Sequence, residues 1–388
     1  MTDLHDLLDL ATDRLEPPGL AGRALTVAQR RRTVRRGVLA SVAAVVLVVG
    51  VAVTTRLGGA PAVEPMHVPA TSPTGVPART APAIAPDRIQ PAWDPRGAEG
   101  QPVVELGVPR VMESLTPGEV TRPVVLLDDG SRARLVSADG LVHELDLPGG
   151  LTRGRTVSLS PDGRRLVATG AGGFFWREID GDWQRLGAED VPLEAQLTWL
   201  PDSSGVIVRG WRRAVLVDLA SGEVAEQRFL EDVSHLGVAP DGALVGVTEG
   251  RSVVQWRDGR ETDRVSTAGL EGLVLPAVGG SGIAFARTNL VTVDPPGPAD
   301  RDGLLALDRE TLETRAYLPV PDDHYYVHAE DLRPLTWLDD DTLAFTVLPA
   351  GAAKRYLMTW DVETGDISRV SCWARSLDAV FATALLSR

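Results

Sequence analysis

The sequence predicts an all-β fold, a six-bladed β-propeller preceded by one transmembrane helix and a Pro-rich linker. Three observations carry this reading: a strand–turn–strand unit that recurs at a period near 40 residues, a 19-residue uncharged stretch behind a cluster of arginines, and nine prolines in the 44 residues that follow it. The domains read as a cytoplasmic tail (1–36), a membrane helix (37–55), a disordered linker (56–100) and an extracytoplasmic propeller (101–388).

The uncharged stretch runs from Gly37 to Thr55. At about 1.5 Å per residue, a helix of that length nearly crosses a hydrocarbon core of about 30 Å, so the lipid bilayer is the first expected partner. Arg30, Arg31, Arg32, Arg35 and Arg36 precede the stretch and only Arg56 follows it closely. The positive-inside rule then leaves the N-terminus in the cytoplasm and everything beyond Arg56 outside. A cleaved signal peptide, with Gly58 and Ala60 as small residues near the cut, is the alternative, and it exports the same body.

Leu4, Leu7, Leu8, Ala11 and Leu15 recur at helical spacing, while Asp3, Asp6, Asp9 and Asp13 fall largely on other faces. Pro17, Pro18 and Gly19 end the pattern. The short amphipathic helix offers Leu4, Leu7, Leu8 and Leu15 as a docking face for a cytosolic regulator, for example a sigma factor. The plainer reading is a helix resting on the membrane, because an isolated helix so short is marginal. From Leu57 to Gly100 the chain is too polar and too rich in proline to pack, and it reads as a spacer.

The repeat has two marks. The first is a strand, a turn and a strand: "VVLLDDGSRARLV" near Asp129, "VSLSPDGRRLVAT" at Asp162, "LTWLPDSSGVIVR" at Asp202, "LGVAPDGALVGVT" at Asp241, "VLPAVGGSGIAFA" near Gly280 and "LTWLDDDTLAFTV" at Asp340. The second is a strand ending in an acid before a turn, at Asp146, Asp180, Asp218, Asp258, Asp308 and Asp361. Alternating apolar runs joined by such turns at this period describe four-stranded antiparallel sheets stacked as blades. A blade alone cannot bury both faces, so its neighbours must stack on it and the ring must close. The C-terminal run from Leu377 is expected to pair with strands between Pro102 and Met112, closing six blades; the same two pieces joined as a seventh blade are the alternative.

"SLSPDGRRLVATG" and "WLPDSSGVIV" resemble the WD-repeat-like, TolB-type propeller blade, whose signature is a small or aromatic residue, Ser-Pro-Asp-Gly and an apolar strand. The resemblance covers residues 101–388 and implies a propeller, not an activity. Gly280 and Asp339 depart from the signature, so the calcium and partner sites of such propellers do not transfer to this chain. Arg carries nearly all of the basic charge, Lys354 being the only lysine, and Ala, Gly, Val and Pro are heavily used. That usage points to a GC-rich, actinobacterial-type coding sequence.

Composition excludes several functions. Residues 101–388 carry a net charge of −16, which repels nucleic acid. A single cysteine, Cys372, rules out an intramolecular disulfide and thiolate zinc sites. No G-x-S-x-G elbow, P-loop or dinucleotide glycine pattern occurs, so no catalytic residue, no cofactor and no enzyme is expected. Asp162, Asp202 and Asp241 read as turn formers, because Pro sets φ, Asp bonds its own backbone and Gly tolerates positive φ.

The insertion "PDDHYYVHAED" interrupts the repeat most. His324 and His328 are its weak metal candidates, since two imidazoles lack a fixed third ligand. Asp322, Asp323, His324, Tyr325, Tyr326 and His328 read better as a loop contacting an extracytoplasmic protein, peptide or glycan. Trp199 and Trp337 share one repeat position and read as core; Trp183, Trp211 and Trp373 are open candidates for the channel wall. The overall expectation is a membrane-anchored, non-enzymatic binding module. A sensing propeller coupled to an anti-sigma-like tail, or an exported hydrolase or lyase using His235, His324 or His328, are the alternatives.

Overall fold

The computed structural model describes residues 79–386 apart from 82, 94–103, 107–111, 115–122, 139–140, 150, 152–154, 171, 188–189, 193–195, 250, 268–269, 271, 289–296 and 322–330. Among the described residues no helix is long and apolar enough to cross a membrane. The span Gly37–Thr55 and the face of Leu4, Leu7, Leu8 and Leu15 lie outside the described residues, as do His324, His328 and the rest of their loop. Pro73–Arg388 forms one compact unit.

Six sheets, built in chain order, make the six blades of a propeller. Blade 2 is typical: Thr156–Leu159, Arg165–Gly170, Gly173–Glu178 and Gln184–Leu186 pair in sequence as antiparallel neighbours. Blade 3 (196–226), blade 4 (233–266), blade 5 (273–319) and blade 6 (332–374) repeat that plan. Blade 1 takes Pro123–Asp128, Ala133–Ser137 and Val142–Leu145 as its last three strands. The second strand of each blade is nearly all apolar, as in Val206, Ile207 and Val208, because adjacent blades cover both of its faces. The fourth strands of blades 2 and 3, Gln184–Leu186 and Val224–Glu226, are short and polar, which suits an edge.

The ring closes differently from the sequence-based expectation. Asp378–Phe381 pairs antiparallel with Pro123–Asp128, with Phe381 opposite Val125, and becomes the inner strand of blade 1. The expected partners go elsewhere. Val104–Glu105 adds a parallel edge to blade 6, and Met112–Ser114 adds one to blade 1, so neither forms a seventh blade. Because the first strand of blade 1 comes from the other end of the chain, the marks at Asp129 and Asp146 sit one strand out of phase with their counterparts. Apolar runs at 104, 112 and 125 look alike in sequence, and only the buried run Val125–Leu127 can fill the second place in a blade.

The linker is also corrected over Arg79–Trp93. Arg79–Thr80 pairs parallel with Val265–Ser266 on the edge of blade 4, and the Arg79 guanidinium meets Asp263. Ile89 bridges to Tyr317 of blade 5. The Gln90 side chain accepts from Trp360 Nε1 at 2.7 Å and donates to the Val362 carbonyl at 2.9 Å. Trp93, 7% exposed, meets Phe345 of blade 6 edge-on with centroids 5.3 Å apart. With 104–105 and 112–114, this segment forms a belt across blades 4, 5, 6 and 1. Proline bars a segment from the interior of a sheet, but an outer edge needs hydrogen bonds on one side only.

Tryptophans fasten neighbouring blades. Trp199 Nε1 donates to Ser158 Oγ at 2.9 Å, and Trp337 Nε1 donates to the Ala277 carbonyl at 3.2 Å, each reaching back one blade. Trp337 lies so close to Gly279 and Gly282 that a Cβ on either would approach its ring to 2.7 Å. Replacing Trp93 by Ala removes the belt's buried anchor and is expected to cost about 3–5 kcal/mol of unfolding free energy. Denaturant unfolding of the mutant checks this; an unchanged midpoint would mean that the belt does not pack.

Candidate functional site

Inner strands run from the face bearing the loops between blades to the face bearing the Pro-Asp-Gly turns. Each is paired on one side only, so its other edge looks onto the central axis. The channel that results has a volume of about 440 Å³, within the usual range for ligand sites. Leu197, Leu236, Leu275, Leu335 and Val380 line it, and Pro161, Pro201 and Pro240 ring its turn-face end. Arg333 is the one charged residue among the described lining residues.

The channel is narrow because blades 4 and 5 approach closely: a Cβ at Gly237 would lie 2.6 Å from the Pro276 carbonyl oxygen. Bulges interrupt the inner strands of blades 4, 5 and 6, between Val233 and His235, Val274 and Ala277, and Pro334 and Thr336. Leu275 takes a left-handed φ of 53° to make its bulge.

Sequence reasoning passed over Arg333, Leu275 and Pro276. A signal for them was present in Pro276 and Pro334, since proline within a strand marks an edge. Trp199 and Trp337 line the channel as well as fastening blades, whereas Trp183, Trp211 and Trp373 do not line it. Trp373 is buried in the core, Trp183 donates to the Asp146 carbonyl at 2.9 Å, and Trp211 projects from the hairpin of blade 3, 85% exposed.

The turn acids are structural. Asp162 accepts from Ser160 Oγ at 2.6 Å and from Arg164 N at 3.0 Å. Asp202 accepts from Ser204 N at 3.0 Å and Ser204 Oγ at 2.7 Å, and these bonds hold its carboxyl below the usual range. Asp241 does more than cap its turn, for Arg309 donates to it at 2.7 Å and Arg257 pairs with its other oxygen. These groups line a cleft of about 490 Å³ between blades 4 and 5, where Asp241 takes one nitrogen, Nη2, of each arginine.

At the loop face, Arg209 of blade 3 is 9% exposed and donates to the carbonyls of Val233 and Ser234 and to Gln196 Oε1. Burial pushes its pKa down. Burial, together with Arg209, also lowers His235 from 6.5 to about 4, so this imidazole stays neutral near pH 7. That makes His235 a poor general base. No three His, Cys, Asp or Glu side chains among the described residues are grouped to hold a metal. The flanks of the 322–330 insertion, Val320 and Asp331, both emerge at this loop face.

No protein-family model matches the sequence, and no curated protein sequence matches it. Solved structures similar to the chain include an Agrobacterium tumefaciens protein assigned as TolB, at 12% identity and TM-score 0.42, covering 67% of this chain and 98% of that one. The propeller domain of the trilobed protease from Pyrococcus furiosus matches at 14% identity and TM-score 0.40, over 62% of this chain and 74% of that one. The dihydro-heme d1 dehydrogenase NirN matches at 15% identity and TM-score 0.39, over 66% of this chain and 56% of NirN, so the chain spans about half the length of that enzyme. At such identities and scores the assignment of six blades rests on the chain's own sheets.

The depressed His235 pKa has a sign that can be tested. Between pH 6.5 and about 4 the unfolded chain binds a proton that the folded protein refuses, so stability falls as pH drops through that window. Below about pH 4 this group adds no further slope. His235→Gln is expected to flatten the stability profile there, as measured by denaturant unfolding at fixed pH values; an unaltered slope would contradict the assignment.

Proposed function

We propose that the protein is a membrane-anchored, single-pass binding module that displays its propeller outside the cell and takes an extended segment of a partner protein or peptide into its central channel. No catalytic step is assigned to it. The observation that carries the reading is the channel wall: apolar side chains from inner strands, and strand edges whose peptide groups are unpaired on the axial side. An extended peptide satisfies both at once, placing side chains among Leu197, Leu236, Leu275 and Leu335 and its backbone against a strand edge. Supporting the non-enzymatic part, the turn carboxylates are tied to their own turns and His235 is held neutral. Supporting the topology, the uncharged Gly37–Thr55 stretch carries five arginines on its N-terminal side.

Two measurements test this. Ala379→Trp, which plugs the channel from the inner strand of blade 1, is expected to weaken peptide binding by about tenfold or more while the unfolding midpoint moves little. Undiminished binding would move the site elsewhere. Protease added to intact cells should degrade residues 73–388 and spare a tag at the N-terminus; loss of the tag with the propeller protected would reverse the orientation.

A further inference from the structure

A cleft of about 540 Å³ lies on the rim of the ring, where the connection from blade 3 meets blade 4. That connection turns through Arg228–Leu230, and Leu230 is fully buried among apolar residues of both blades. Anchoring by Leu230 leaves Phe229 half-buried on the cleft wall, its ring 6.0 Å from that of Trp256 at an angle of 50°. Asp232, Glu249, Glu261 and Arg264 line the same cleft.

The polar groups of this wall are unequal. Arg264 donates to both oxygens of Glu261 at 2.7 Å, so that pair is neutral. Asp232 and Glu249 are brought side by side by the bond from Glu249 N to the Asp232 carbonyl at 2.9 Å, and their exposed carboxylates make no ion pair or hydrogen bond with the described residues. Trp256 is 4% exposed, and its Nε1–H has no acceptor among the described residues. The indoles of Trp176, Trp183, Trp199, Trp337, Trp360 and Trp373 all donate to protein oxygens. Trp93 Nε1 lacks an acceptor too, yet it is sealed from solvent, whereas Trp256 lines the cleft. A donor so buried normally finds a partner, and here the partner must come from outside the chain.

We infer that this cleft binds a neutral saccharide, with a sugar ring on Phe229, a hydroxyl oxygen accepting from Trp256 Nε1 and hydroxyl protons donated to Asp232 and Glu249. The site stands apart from the channel and does not rest on its peptide. A hydroxyl both donates and accepts, so one sugar can serve the indole N–H and the carboxylates together. The C–H face of the sugar covers the apolar ring of Phe229. An ammonium ion would satisfy the carboxylates and the aromatic ring but leave the Trp256 donor unpaired. A uronic acid or a phosphate would meet Asp232 and Glu249 with like charge.

The full chain, solubilised in a detergent without a sugar headgroup, is screened against neutral hexose and N-acetylhexosamine oligomers and their uronic-acid counterparts, at concentrations up to about 10 mM. Neutral oligomers should bind and uronic acids should not. With nitrogen-15 tryptophan in the protein, bound saccharide should shift one of the nine indole N–H signals, the one absent from Trp256→Phe. Phe229→Leu, which keeps an apolar side chain but loses the flat ring, should weaken binding by about fivefold or more, as should Asp232→Ala combined with Glu249→Ala. Ala379→Trp, which plugs the channel, should leave saccharide affinity within about twofold. The inference is overturned if no neutral oligomer binds, if uronic acids are preferred, if an indole other than Trp256 shifts instead, or if either cleft variant keeps its affinity. Loss of saccharide binding in Ala379→Trp would place the sugar in the channel and overturns it as well, whereas failure of peptide to bind bears on the channel alone.

Discussion

The antiparallel pairing of Asp378–Phe381 with Pro123–Asp128 is the constraint on which the rest of the structure depends. A propeller blade has two apolar faces, and blade 1 covers one face each of blades 6 and 2. Without its inner strand, blade 1 would leave Pro123–Asp128 short of its partner and lose the packing of Phe381 on Trp373, whose centroids lie 5.6 Å apart. The N-terminal belt works from the outside on the same problem, adding edge strands to blades 4, 6 and 1. Segments from both ends of the described residues therefore hold one ring, in a chain whose single cysteine allows no intramolecular disulfide.

Closure also creates the channel. Bringing inner strands around one axis aligns unpaired strand edges, and the spacing is set by contacts such as Gly237 against the Pro276 carbonyl. Bulges interrupt the inner strands of blades 4, 5 and 6, and Leu275, within the bulge of blade 5, lines the channel. The reactive groups have been spent on structure instead: Asp162 and Asp202 on their turns, Asp241 on two arginines, the indoles of Trp199 and Trp337 on the preceding blade.

The blade repeat was legible in the sequence because it rests on local chemistry. Pro-Asp-Gly turns and alternating apolar residues act over a dozen positions, and blades 2 to 6 follow them. Ring closure was legible as a need but not as a register, since it joins residues some 250 apart in sequence, Asp128 and Asp378, through apolar runs that resemble several others. The same limit hid the belt: the grip of Trp93 and Gln90 depends on Phe345 and Trp360, which no local pattern links to a proline-rich segment. Of the site, the structural role of the turn acids could be read from turn chemistry, whereas the channel lining could not, because a residue faces the axis only through the stacking of six blades. Pro276 and Pro334 were the one local hint.

Hydrogen exchange on residues 73–388, with and without a peptide selected by the unit, tests the central claim most directly. Occupancy of the channel predicts slower exchange at amides of the inner strands, including Leu197–Trp199, Leu236–Val238 and Leu335–Trp337, with outer strands such as Val224–Glu226 unchanged. Slower exchange confined to residues 288–302 and 320–331, with the inner strands unaffected, would contradict it.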